Sequence, residues 1–195
     1  PATSAEVQYR LEAKNAGTFD VNCACSGFVT SLDVAARYIM TSDNIRHAIV
    51  IGTYGMSKFL DPNDAVATPL FGDGAGAFVI AKDSGLMKYA SRLKANGEYW
   101  DYMGIYAGGT RIPITKEILE SPECLHTVKV PKKYPATLNQ DHWPPLVEEV
   151  LSAVALKPQD VDMFIFTQIR KITIEEVMGH WSLPMTRTHM IMDKW

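Results

Sequence analysis

A change of hydrophobic period across a short turn constrains a fold tightly, and residues 19–32, Phe-Asp-Val-Asn-Cys-Ala-Cys-Ser-Gly-Phe-Val-Thr-Ser-Leu, contain one. Phe19 and Val21 alternate with Asp20 and Asn22, the period-two pattern of a strand. From Phe28 onward, Phe28, Leu32, Ala35, Ala36 and Ile39 recur at helical spacing and share one face. Ser26-Gly27 is expected to supply the turn, and the helix is expected to run to about Met40. Cys25 then lies where strand gives way to helix. A thiol there meets unpaired N–H groups and the positive end of the helix dipole, which favour thiolate over thiol. Cys25 is therefore the candidate nucleophile.

A cysteine is more often a small buried hydrophobe than a reactive group, and Cys23, two residues earlier in the expected strand, takes that reading. A Cys-x-Cys metal site is disfavoured. The third cysteine, Cys124, lies in a distant loop, and no ligand-spaced histidine pair accompanies it. A Cys23–Cys25 disulfide is discounted because it would strain an extended strand.

The 195 residues, 47% of them hydrophobic, suffice for one sizeable core or two smaller ones. A net charge of −3 without a long basic run argues against a nucleic-acid partner. No apolar run is long enough to cross a bilayer and no signal peptide is present, so no membrane association is expected. Three cysteines without a framework fit a reducing, cytoplasmic compartment. The sequence starts at Pro1 and stops just after the strand-like His189-Met-Ile-Met192, which reads as a piece of a longer protein.

The rest of the pattern alternates. Pro1 to Leu11 reads as a helix ended by Asn15-Ala-Gly17. Ala48 to Ile51 reads as a strand buried on both faces, which with the first strand and helix implies a βαβ unit and a parallel sheet. A loop from Tyr54 to Pro69 precedes Phe71-Gly-Asp-Gly-Ala-Gly-Ala77 and a strand from Ala77 to Ala81. A phosphate-cradling glycine loop follows a strand and opens a helix, so this order argues against dinucleotide binding. Its glycines instead suggest close backbone approach near a cavity. Asp83-Ser-Gly85 is expected to turn into an antiparallel strand, Leu86 to Leu93. Residues 95–135 are loop-rich, with Tyr99, Trp100, Tyr102 and Tyr106 near Gly108-Gly109. A helix from about Trp143 to Val154, a turn at 157–160, a buried strand Met163 to Phe166, a helix with core face Ile174, Val177, Met178 and Trp181, and a strand His189 to Met192 complete the reading.

Phe19 to Ile39, with Cys-Ser-Gly-Phe opening the helix, resembles the nucleophile region of the β-ketoacyl-acyl carrier protein synthase III family, one of the thiolase-like condensing enzymes. Phe71-Gly-Asp-Gly-Ala-Gly-Ala77 is similar to a second signature of that family at the expected distance downstream. The resemblance covers essentially the whole chain. It implies an α/β, thiolase-like layered fold with two similar α/β halves, truncated at both ends. Residues 1–84 would be the latter part of the N-terminal half and residues 85–195 most of the C-terminal half.

It further implies that Cys25 accepts an acyl group from acyl-coenzyme A or acyl carrier protein and passes it to a malonyl-type thioester. The family uses a histidine and an asparagine to stabilise the charge formed on decarboxylation. The histidine position, in a His-Gln-x-Asn context, falls on Thr167 in Phe166-Thr-Gln-Ile-Arg170. Gln168 matches, Arg170 replaces the accompanying asparagine, and Ile172 stands at the downstream arginine position. Cys25 and Thr167 are thus the catalytic positions, and Phe71, Gly109, Gln168 and Arg170 the substrate-binding ones. No metal and no tightly bound cofactor are implied. A homodimer is, with the strand Phe19 to Asn22 pairing across its interface. A threonine hydroxyl donates a hydrogen bond but is no base near neutral pH, so a non-decarboxylative acyltransferase is an alternative. A catalytically inactive dimer partner is another.

Overall fold

The computed structural model describes residues 2–83, 85 and 88–192. They fall into two compact units, one of residues 1–52 and 76–84, the other of 53–75 and 85–195.

In the first unit, α1 (Thr3–Arg10) and α2 (Gly27–Thr41) are separated by an extended segment. Residues 19–22 are not a strand, contrary to the alternation. A strand exists only where another backbone completes its ladder. Here Asp20 turns back to α1 instead, its carboxylate accepting the N–H groups of Thr3 (2.8 Å) and Ser4 (2.9 Å). Two of the helix's unpaired donors are satisfied in this way. The expected face of α2 is the one used: Ile39 is buried, and Phe28, Leu32, Ala35 and Ala36 are half-buried. Phe28 sets its ring edge-on to Phe78, centroids 5.2 Å apart. A Cβ on Gly52 would sit 3.1 Å from the Phe28 ring, so this glycine permits the contact.

Two strands, β1 (His47–Gly55) and β2 (Asp73–Ala81), form a two-stranded sheet. Lys82 N–H donates to Arg46 at one end (3.0 Å) and Ser57 meets Asp73 at the other, so the pair is antiparallel. The expected parallel βαβ unit is not formed among the described residues, because residues 19–22 contribute no strand and β1 is joined to β2 by a loop with two short 3₁₀ turns and no α-helix. Nor is Ala48 to Ile51 buried on both faces: Val50 is buried while Ile49 and Ile51 are exposed. Strand β2 begins earlier than expected and includes Gly74 and Gly76. A Cβ on Gly72, Gly74 or Gly76 would meet nothing within 4 Å, so close backbone approach does not explain them.

The second unit holds α3 (Lys116–Glu120), α4 (Leu138–Ser152) and α5 (Lys171–His180). Its core joins Phe164 to Ile174, Val177, Met178 and Trp181, the face predicted for the helix here seen as α5, with Trp143 and Val147 of α4 packed against it. The rings of Trp143, Phe166, Phe164 and Trp181 form a continuous stack, with successive centroids 5.6, 5.9 and 5.4 Å apart. Helix α4 starts a turn earlier than expected, so Pro144 and Pro145 lie inside it. Their missing N–H groups leave the carbonyls of Gln140 and Asp141 without helical donors. Burial of Pro144 offsets that loss.

Met163 to Phe166 and His189 to Met192 are not full strands. One parallel bridge joins Phe164 to Thr188, with Phe164 N–H donating to Arg187 at 2.7 Å. The neighbours of Phe164, Met163 and Ile165, are exposed, so the run is not buried on both faces. The turn at 157–160 forms as expected, Asp160 accepting the Lys157 N–H at 2.8 Å. Of the expected strand 86–93, Leu86 and Met87 lie outside the described residues. Residues 88–93 carry no ladder. Side chains hold this segment to α4 and the turn after it instead: Lys88 donates to the Val154 carbonyl (3.1 Å), and Arg92 (3.0 Å) and Lys94 both meet Glu149 of α4. Within 95–135, Tyr99, Tyr102 and Tyr134 pack ring against ring at 4.9–5.6 Å.

Candidate active site

Cys25 sits in a 3₁₀ turn, Ala24–Ser26, that runs directly into α2. The turn lies one step earlier than Ser26-Gly27. It is closed by two bonds to the Cys23 carbonyl, from Ser26 N–H (3.1 Å) and Ser26 Oγ (2.9 Å). Ala24 adopts φ +47°, a left-handed conformation that costs a non-glycine residue about 1–2 kcal/mol. The chain makes an abrupt corner there, and Cys25, a free thiol, is exposed just beyond it. The sequence carries no signal for that strain, since alanine is not a residue that favours positive φ.

Asp73, in the second glycine-rich motif, has a definite local task. Its carboxylate accepts Ser57 Oγ–H (2.5 Å) and Ser57 N–H (2.9 Å), fastening the start of β2 to the turn after β1. The Ser57 hydroxyl, then the Ser57 amide, hold the Asp73 carboxyl below the ordinary aspartate range. A depressed folded-state pKa makes the clamp complete above the range in which an unfolded aspartate titrates. The clamp is lost as pH falls through the lowered value. The Ser57 amide resonance is expected to shift in that acid window and to stay flat in Asp73→Asn; an unchanged titration in the variant would contradict the clamp. Nearby, Phe71 is half-buried with its ring 6.0 Å from Tyr54.

In the second unit, Thr167 and Arg170 are exposed between the core residue Phe164 and α5, with Arg170 as the helix N-cap. The Thr167 carbonyl accepts Ile169 N–H at 3.2 Å. Gln168 is committed to backbone. Its Nε2 donates to Phe166 (3.0 Å) and His189 (3.2 Å) carbonyls, and its Oε1 accepts Ile191 N–H (3.1 Å). One side chain thus ties the segment carrying Thr167 to the segment following Thr188, where the two lack a ladder. Gln168→Ala is expected to cost about 1–3 kcal/mol and to speed hydrogen exchange at Ile191; unchanged exchange would show that the clip is dispensable. An open apolar depression of about 390 Å³ lies beside it, lined by Met163, Ile165, Phe166, Gln168, His189 and Ile191. Gly109 is exposed in its loop beside Gly108, which has φ +114°. Among the described residues, no group of three or more His, Cys, Asp or Glu is placed to hold a metal. No helix among them is long and apolar enough to cross a membrane.

A family model of 3-oxoacyl-[acyl-carrier-protein (ACP)] synthase III matches residues 19–97, a span that contains both Cys25 and Asp73. The β-ketoacyl-[acyl-carrier-protein] synthase III of Caldanaerobacter subterraneus subsp. tengcongensis is 33% identical over 196 residues, covering 100% of this chain and 58% of the relative. A crystal structure of a 3-oxoacyl-(acyl-carrier-protein) synthase III matches the fold with a TM-score of 0.86 at 21% identity, over 98% of this chain and 60% of that one. The chain is similar to the β-ketoacyl-acyl carrier protein synthase III family. The fold it shares with these structures is the thiolase-like α/β fold, although few of that fold's strands are paired among the described residues. The chain spans 58% of the length of these curated relatives. An acetoacetyl-CoA synthase from Streptomyces sp. strain CL190 is 30% identical over 196 residues, covering 99% of this chain and 58% of the relative. Relatives at similar distance thus carry different names, one a carrier-protein synthase and one a CoA synthase.

Proposed function

We propose that this protein is an acyltransferase of the condensing type, which forms an acyl-enzyme on Cys25 and passes the acyl group to a malonyl-type thioester. The observation that carries this reading is the Cys25 thiol itself, exposed on a strained corner at the foot of α2. The sulfur attacks a thioester carbonyl, the tetrahedral intermediate expels coenzyme A or carrier-protein thiol, and a new thioester holds the acyl group. Phe71, Gly109, Gln168 and Arg170 are the proposed substrate-side residues. Gln168 acts through the backbone segments it joins, and Arg170 as an exposed cation. Coenzyme A and carrier-protein thioesters are the proposed substrates, and no resident cofactor is required. We assign residues 1–84 to the latter part of the N-terminal thiolase-like half and 85–195 to most of the C-terminal half. A cytoplasmic setting, in fatty acid or polyketide synthesis, fits this chemistry.

Thr167 favours a second reading. A hydroxyl in place of a histidine donates one hydrogen bond and supplies no base, which removes a contribution of about 10²–10⁴-fold. Acyl transfer to an alcohol, an amine or another acceptor without loss of carbon dioxide then becomes the competitor. Incubation with acyl-coenzyme A and intact mass measurement tests the shared first step: an acyl adduct is expected, and its absence at every chain length would leave the inactive-partner reading. Addition of a malonyl thioester separates the two enzymes. Release of carbon dioxide supports condensation, and an adduct that persists without it supports plain transfer.

A homodimer is the proposed assembly. Strands β1 and β2 expose Ile49, Ile51, Phe78 and Val79, the last at 69%, and their outer edges have no neighbour among the described residues. Uncovered apolar sheet with open edges associates. Light scattering of the 195-residue chain is expected to show a dimer or larger species, and a stable monomer at micromolar concentration would contradict this.

A further inference from the structure

We infer that Cys23 and Cys25 are a redox modification site, closing a reversible disulfide within one turn when the protein meets a peroxide. A disulfide here was unattractive on the expectation of an extended strand, in which cysteines two apart sit about 6.6 Å from each other, at the outer limit for bonding. The structure removes that premise. Cys23 opens the 3₁₀ turn and Cys25 lies inside it. Ala24, the single residue between them, has φ +47°. With the Ser26 N–H bonded to the Cys23 carbonyl and positive φ at Ala24 alone, residues 23–26 form a type II′ turn, which bends the chain between the two cysteines and draws their Cα atoms in from the strand spacing, into the 4.4–6.8 Å of bonded cysteines. The two bonds from Ser26 to the Cys23 carbonyl keep the turn closed. Both thiols are free and exposed, so an oxidant reaches either one, while Cys124 belongs to the other unit.

The chemistry balances with hydrogen peroxide as oxidant. The Cys25 thiolate attacks one peroxide oxygen, the O–O bond breaks, hydroxide leaves, and Cys25 carries a sulfenic acid. The Cys23 thiolate then attacks the Cys25 sulfur, the S–S bond forms and the S–O bond breaks with loss of hydroxide. Two thiols and one peroxide give one disulfide and two waters, with two electrons passing from the sulfur pair to oxygen. A disulfide enclosing one residue is strained and exposed, which makes it easy to reduce. A dithiol returns both cysteines by exchange. Without Cys23, the sulfenic acid is open to further oxidation to sulfinic acid, which thiols do not reverse. Cys23 therefore protects its neighbour by masking it. The masking of activity rests on Cys25 being the acyl acceptor; the disulfide does not.

The test is to treat the 195-residue chain with hydrogen peroxide and read intact mass and iodoacetamide labelling. The expected product has lost two hydrogen masses, with Cys23 and Cys25 in one cross-linked peptide and Cys124 still labelled. Dithiothreitol is expected to restore both labels. In Cys23→Ser, Cys25 is expected to gain oxygens that dithiothreitol does not fully remove. Sulfinic acid on Cys25 of the unaltered chain with Cys23 still labelled would overturn the inference, as would a bridge through Cys124 or between chains. Acyl loading is read in parallel. A disulfide that forms in a chain whose reduced state takes up no acyl group would sink the acyl-acceptor reading and leave the redox site standing.

Discussion

Met178→Ala is expected to lower the free energy of unfolding by about 2–5 kcal/mol, one of the largest effects a single change can have here. Met178 and Ile174 are both 0% exposed on the inner face of α5, in the cluster with Phe164, Val177 and Trp181. Truncation removes the transfer free energy of the thioether chain and leaves a void. The stacked rings cannot close that void without giving up their contacts. Against a total stability of about 5–15 kcal/mol for a typical domain, such a loss approaches unfolding. Met178→Leu conserves volume and should cost less than about 1.5 kcal/mol. Urea unfolding of the three proteins decides it: equal midpoints for the alanine and leucine variants would mean that the cavity contributes nothing. The prediction bears on function because α5 begins at Lys171, directly after Thr167, Gln168 and Arg170. Loosening the core frees the segment that carries them.

Cys25→Ser is expected to reduce acyl transfer on the order of 10⁴-fold or more, as loss of a covalent nucleophile does elsewhere. Serine conserves shape and exposure, so the turn and α2 remain. A hydroxyl without an adjacent base is a poor nucleophile, whereas a thiol supplies some thiolate near neutral pH. Neutral hydroxylamine gives an independent readout, because it strips a thioester and spares an oxygen ester. The unaltered chain should lose its acyl group to hydroxylamine, and Cys25→Ser should have none to lose. An adduct of equal yield in the serine variant would move the acyl group to another residue. Cys23→Ser separates the two thiols, since it should load acyl groups normally under reducing conditions.

The sequence by itself determined what depends on local order along the chain. The faces of α2 and α5 were legible because helical periodicity is a property of neighbouring residues, and the ladder of a helix closes within its own segment. The turn at 157–160 was legible for the same reason. The family resemblance was legible in two short motifs, around Cys25 and around Asp73, each a run of adjacent residues. Strands were another matter. The alternation of Phe19 to Asn22 and the apolar runs at 48–51 and 163–166 are real, but a strand needs a partner that sequence pattern does not name. Tertiary structure therefore decided that Asp20 caps α1, that β1 and β2 run antiparallel, and that Phe164 makes a single parallel bridge. It also decided the corner at Ala24, whose positive φ no side chain announces. Periodicity records which face of an element is apolar. Which backbone completes a ladder, and where a turn must tighten to meet the helix beyond it, are settled only when distant segments compete for the same hydrogen bonds.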